Sequence, residues 1–154
     1  MRTKRMLALG AVFLVVIQLV PGPYSSSMNT APSGQLLQSS GLDPTTVSHI
    51  VEACGDCHST ATRWPWYSRV APMSWLIAKD VADGRKFLNF SAWKAYGSAG
   101  QGQLLQLAAE RIKDGSMPPR RYSLLHADAE WKTKTRAMVV DALLAESARL
   151  AKLE

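Results

Sequence analysis

Apolar and polar positions along this chain recur in helical periods, and no alternating strand pattern separates them. After a basic start, MRTKR, the stretch Met6–Val20 is apolar for 15 residues with a single glutamine, and Pro21, Gly22 and Pro23 stop it. Residues 21–42 are rich in Ser, Gly, Pro and Asn and read as a flexible tether. Asp43-Pro44 predicts an N-cap followed by proline at the first helical position. A helix over Thr45–Cys54 then sets Val47, Ile50, Val51 and Cys54 on one face, and its pattern weakens at Gly55. The irregular, aromatic STATRWPWYSRVAPMS leads into a second helix, MSWLIAKDVADGR, which starts at Pro72 and is capped at Gly84. Ser91 predicts the N-cap of a short helix through Trp93 and Tyr96, and SAGQG reads as a break. QLLQLAAERIKDG is strongly periodic, with Leu104, Leu105, Leu107, Ala108 and Ile112 recurring up to a stop at Gly115. SMPPRRYSLLH is expected to be extended or turn-like, because Pro118 and Pro119 cannot continue a helix and push Met117 out of the α region. A last helix is predicted from about Asp128 to Leu150, giving an all-α bundle of four or five modest helices.

Composition changes this picture little. The chain has 154 residues, which suits one folded domain, and 47% of them are apolar, enough for a core. The net charge of +6 is uneven: Arg2, Lys4 and Arg5 carry half of it, and the rest of the chain holds about +3. The later basic residues alternate with acids and make no stripe with interleaved aromatics, so the charge is no nucleic-acid signal. The basic start, apolar run and Pro-Gly-Pro stop have the architecture of an export signal. The run is short for a spanning helix, which needs about 20 residues. No clean A-x-A site follows, so a retained N-terminal anchor is preferred over a cleaved signal peptide. The domain plan is therefore 1–22 signal or anchor, 23–42 linker and 43–154 folded domain, placed outside the cytoplasm, in the periplasm or on the periplasmic face of the membrane.

The only two cysteines lie in CGDCH, residues 54–58. Three chemistries compete for this motif. A zinc site needs two further ligands, and His49 and His126 form no H-x₃₋₅-H pair. A redox dithiol of the thioredoxin type wants a βαβ setting that a helical chain lacks. Heme c attachment needs two thiols spaced for the two vinyl groups of one porphyrin, with an imidazole next to the second, and Cys54, Cys57 and His58 meet all three requirements. His58 is then the proximal iron ligand, and one covalent heme supplies an apolar plate for the helices to pack around.

For the sixth iron position Met117 is preferred, since it lies after Gly115 and directly before Pro118-Pro119 in a stiff loop. His126 is the alternative to Met117, whereas Met73 and Met138 are read as core. Trp64, Trp66 and Tyr67 are expected to line the core and the heme pocket. Arg63, Arg69 and Arg85 are candidates for pairing with propionates or, equally, for solvated surface.

The compound pattern resembles the bacterial haem-binding domain family, small exported proteins similar to c-type cytochromes. Its blocks stand here as Cys54–Ser59, Trp64–Ser68, Ala71–Trp75, Gly84–Trp93 and Gly115–His126, and the exit IQLVP is similar to the family's N-terminal anchor. The resemblance implies covalent heme with His58 and Met117 as axial ligands, and no particular reaction. The last helix departs from the pattern: it lacks a closing tryptophan and runs on as the basic amphipathic RAMVVDALLAESARLAKLE. The preferred function is one-electron transfer between unidentified redox protein partners, with membrane contact through the N-terminal segment if it is uncleaved. The alternatives are a heme sensor or peroxide-reactive enzyme with an open sixth position, and a structural subunit in which heme staples the fold.

Overall fold

The computed structural model describes residues 2–20, 37 and 40–153 and is helical throughout, with no strand among them. Helix α1 is Arg2–Gln18, α2 Pro44–His58, α3 Met73–Phe87, α4 Gly97–Lys113, α5 the single turn Arg120–Ser123, and α6 Thr133–Leu150. Short 3-10 turns at Trp66–Arg69, Phe90–Tyr96 and Ala127–Ala129 fill the connections.

The core rests on α4 and α6. Ser147 Oγ donates to the Gly102 carbonyl at 2.8 Å, and Arg136 Nη1 donates to the Ile112 carbonyl at 2.7 Å. These pairings join the end of each helix to the start of the other, so the two run antiparallel. Leu105, Ala109 and Ile112 bury against Val139, Val140, Leu143 and Leu150, and Phe90, Trp93, Trp131, Ile50 and Ala53 close the cluster. Each such side chain contributes roughly 1.5–3 kcal/mol by leaving water. The tail without a closing tryptophan thus forms α6, which packs through one face, Val139, Val140, Leu143 and Leu150.

Several local expectations change. SAGQG is no break: α4 starts at Gly97, with φ +64°, and runs through it, and the Gly102 carbonyl accepts from Ser147 of α6. Asn89, not Ser91, caps the turn at Phe90; its side chain accepts from the Ser91 N–H at 3.0 Å. The last helix begins at Thr133, after a 3-10 turn at Ala127–Ala129. Within the extended or turn-like SMPPRRYSLLH, the turn is the single helical turn α5. Met73 and Met138 are exposed and do not belong to the core.

Helix α1 is apolar, and none of its residues is buried. No described helix is long and apolar enough to cross a membrane. The Pro-Gly-Pro stop and most of the expected tether lie outside the described residues; of the tether's described positions, Leu37 packs in the core and Ser40 is also buried.

Candidate functional site

Helix α2 carries CGDCH. Asp43 caps it as expected, accepting from the Thr46 N–H at 3.0 Å, with Pro44 in the first turn. The helix does not weaken at Gly55; it continues to His58, so Cys54 and Cys57, three apart, share one face. Its last carbonyls are taken up by the segment that follows. Ser59 Oγ donates to the Gly55 carbonyl at 2.7 Å, Thr62 Oγ1 to the Asp56 carbonyl at 2.6 Å, and Arg63 Nη2 to the Glu52 carbonyl at 3.0 Å.

Gly84 is no helix cap. It lies inside α3, where a Cβ would stand 2.6 Å from the Cys57 carbonyl oxygen. Only glycine lets α3 pass this close to the motif. One turn later the chain presents the Leu88 carbonyl, 3.0 Å from His58 Nδ1. A carbonyl can only accept, so Nδ1 carries the proton and Nε2 keeps its lone pair. Burial lowers the His58 pKa, opposed by hydrogen bonds to the Leu88 and Gly84 carbonyls, which favours a neutral imidazole. The Phe90 ring stands 5.8 Å from the imidazole, centre to centre.

The two cysteines are free and half-buried. Burial, with the neighbouring Cys57 adding to it, pushes the Cys54 thiol up to about 12. Cys57 is pushed up to about 11 by burial first and then by the carboxylates of Asp80 and Asp56, opposed by Arg121 and Arg85. Exchange-active dithiols need a depressed pKa, so this environment disfavours the redox reading. No group of three or more His, Cys, Asp and Glu side chains among the described residues is arranged to hold a metal ion.

Asp56, between the cysteines, is a hub that sequence reasoning passed over. Its buried carboxylate accepts from the Arg63 N–H at 2.8 Å, from Arg63 Nε at 3.2 Å and from the Tyr122 hydroxyl at 2.7 Å. Burial and this hydrogen bond both raise the Tyr122 pKa. Tyr122 stacks on His126 at 3.9 Å, and Arg121 makes a bidentate pair with Asp80 of α3, Nη2 donating to Oδ1 at 2.8 Å and Nε to Oδ2 at 3.2 Å. The segment holding Met117 and His126 is therefore fastened to α2 through Asp56 and to α3 through Asp80. Nothing local marks this network; the tyrosine four residues before His126 is its one visible trace.

The remaining candidates divide. His126 Nδ1 lies 3.0 Å from the Tyr122 carbonyl. Met117 is 36% exposed, and its N–H donates to the Arg111 carbonyl at 2.9 Å. Arg63 is engaged by Asp56, and Arg85 donates to the Ser59 carbonyl at 2.8 Å and to Thr62 at 2.9 Å; both therefore brace the motif. Trp66 is 79% exposed and is not core. Among the described residues the indole N–H groups of Trp64, Trp75, Trp93 and Trp131 are buried with no hydrogen-bond partner. Such orphan donors are uncommon in a finished interior.

Neither curated proteins nor solved structures give a match to the chain. The family model described as Haem-binding domain matches residues 12–144, from inside α1 to near the end of α6. With that match over most of its length, and with the motif helix, its braced histidine and its two free thiols, the chain belongs to the haem-binding domain family.

Proposed function

We propose that the protein is a monoheme c-type electron carrier, holding one heme c through thioethers to Cys54 and Cys57 with His58 as proximal ligand. The observation that carries this reading is the His58 Nδ1–H bond to the Leu88 carbonyl, which fixes the tautomer and leaves Nε2 for iron one residue after the second thiol. Both thiols are held protonated and lie on one helix face. Each S–H would add across a vinyl group, sulfur to one carbon and hydrogen to the other, with no oxidant required. The orphan indoles Trp64 and Trp75 belong to the blocks that follow the motif and offer donors to a group outside the chain. Bound heme supplies the one-electron couple. The chain's own part is to orient the imidazole, to brace the motif through Asp56 and Arg85, and to present Met117 as the sixth ligand.

The basic start and apolar run favour export, with the domain at the outer face of the membrane and α1 retained in it. Redox proteins there would be its partners. A second reading, a heme sensor or peroxide-reactive enzyme, is favoured by one feature: the surface position of Met117 would let the sixth ligand leave.

Substituting Met117→Ala in protein matured with heme separates the two. For the carrier, heme stays attached, the oxidised sulfur-to-iron charge-transfer band disappears, the potential falls and carbon monoxide binding becomes fast. An unchanged spectrum and potential would remove Met117 from the iron. Fast carbon monoxide binding by the unsubstituted protein would favour the sensor.

A further inference from the structure

The apolar N-terminal run contains one amide side chain, and that amide is spent on the domain. The Ala71 N–H donates to Gln18 Oε1 at 2.9 Å, and Gln18 Nε2 donates back to the Ala71 carbonyl at 3.2 Å. The end of α1 is thereby fastened to the loop that opens α3. The family match begins at Val12, so it includes both Gln18 and its partner. The apolar side chains of α1 from Met6 to Val16 are exposed, and none of them is buried among the described residues. Within five positions of Ala71 lie four more large apolar side chains that are also exposed: Trp66, Val70, Met73 and Leu76. An apolar medium that covers α1 down to Gln18 therefore reaches the Ala71 loop, whose sequence neighbours these exposed side chains are.

We propose that the domain face around Ala71 rests in the headgroup–acyl boundary of a lipid bilayer, held there by Gln18. This rests on the reading that α1 enters the membrane. Length supports it: the apolar part of α1, Met6–Gln18, rises roughly 20 Å at about 1.5 Å per residue, less than a hydrocarbon core of about 30 Å. A helix this short is matched by local thinning of the bilayer, which brings the headgroup boundary toward the Ala71 loop fastened at its end. Trp66 and Arg69 share one 3-10 turn, an aromatic and a snorkelling cation of the kind that interfaces favour. Docked in this way, the heme domain has one fixed attitude on the membrane instead of swinging on a tether.

The test uses the full heme-loaded chain in vesicles of phosphatidylcholine and phosphatidylglycerol that contain a phospholipid with a diazirine near the headgroup. Photolysis and peptide mass spectrometry then read where lipid attaches. Labelling is expected in α1 and in the peptides 64–69 and 70–79, severalfold above peptides 87–94 and 122–132. The latter carry Phe87, 72% exposed, and Leu124, 84% exposed, so indiscriminate labelling of exposed apolar groups would favour them. Gln18→Leu keeps α1 apolar and should cut labelling of 64–79 severalfold while α1 is labelled as before. Labelling of α1 with 64–79 no higher than the comparison peptides would overturn the docked face and leave the anchor standing. Absence of labelling in α1 would overturn both. Full labelling of 64–79 in Gln18→Leu would remove Gln18 as the tether.

Discussion

The two halves of the domain are held together by different physics. Between α4 and α6 the contact is side-chain burial, with Leu105, Ala109 and Ile112 against Val139, Val140, Leu143 and Leu150. Between α2 and α3 the buried apolar residues of α3 are only Ala78 and Val81. There the structure relies on Gly84 against the Cys57 backbone, on buried Asp56, Ser59, Thr62 and Ser68, and on the carbonyl that orients His58. Burial is non-directional and supplies stability. Hydrogen bonds to buried groups add less net stability but fix geometry. The first half is a platform, and the second is built to hold five residues in one arrangement.

The largest expected effect breaks the second half alone. Cys54→Ser combined with Cys57→Ser should abolish covalent heme on a denaturing gel stained for heme, while far-UV circular dichroism still reports the α4–α6 platform. Stain that persists on the doubly substituted chain would sink the attachment.

Next comes the glycine at which the second half is tightest. In Gly84→Ala the new Cβ meets the Cys57 carbonyl at 2.6 Å, so α3 must shift; urea unfolding should show a loss of about 1–3 kcal/mol. An unchanged midpoint would mean that the close approach is not needed.

A smaller effect is expected at the hub. Tyr122→Phe removes one donor from Asp56, which keeps Arg63, so the stability cost should be near 1 kcal/mol. Because Tyr122 ties down the Met117 segment, carbon monoxide should also bind faster. Stability loss without a change in ligand binding would confine Tyr122 to a packing role.

The smallest effect has the opposite sign. In Gly102→Ala the Cβ meets Ser147 O at an ordinary 3.6 Å inside α4, so helix propensity should win by about 0.5–1 kcal/mol. Destabilisation here would show that the α4–α6 contact is as tight as the one at Gly84.

This contrast also explains what could be read from the sequence. Signals that act within a few residues were legible: the Asp43-Pro44 cap, the apolar period of α4, the stop at Gly115, and the CGDCH spacing itself. The misread glycines act across the fold. Gly84 reads as a cap because the Cys57 backbone that requires it is 27 residues away, and SAGQG reads as a break because the Ser147 hydroxyl that engages the Gly102 carbonyl is 45 residues away. Ser91 reads as a cap because the side chain that does the capping, Asn89, stands two positions earlier; Ser91 instead accepts from the Thr60 N–H at 3.0 Å. Arg63 and Arg85 read as propionate partners or, equally, as solvated surface, and the structure engages them with the motif's own carboxylate and with the carbonyl of the residue after it. The motif thus stands in the sequence as a pattern of residue types, whereas Asp56, Tyr122 and Gly84, which brace it, become visible only in the fold.

The account stands or falls on whether heme is bonded to this helix. The most direct measurement is the intact mass of the full chain, matured in cells equipped for heme c, denatured at mildly alkaline pH with a thiol-alkylating reagent present and then acidified. The predicted result is one species heavier than the polypeptide by a single heme, with no alkylated cysteine. A polypeptide of bare mass carrying two alkylated cysteines, with heme released to the solvent, would contradict it.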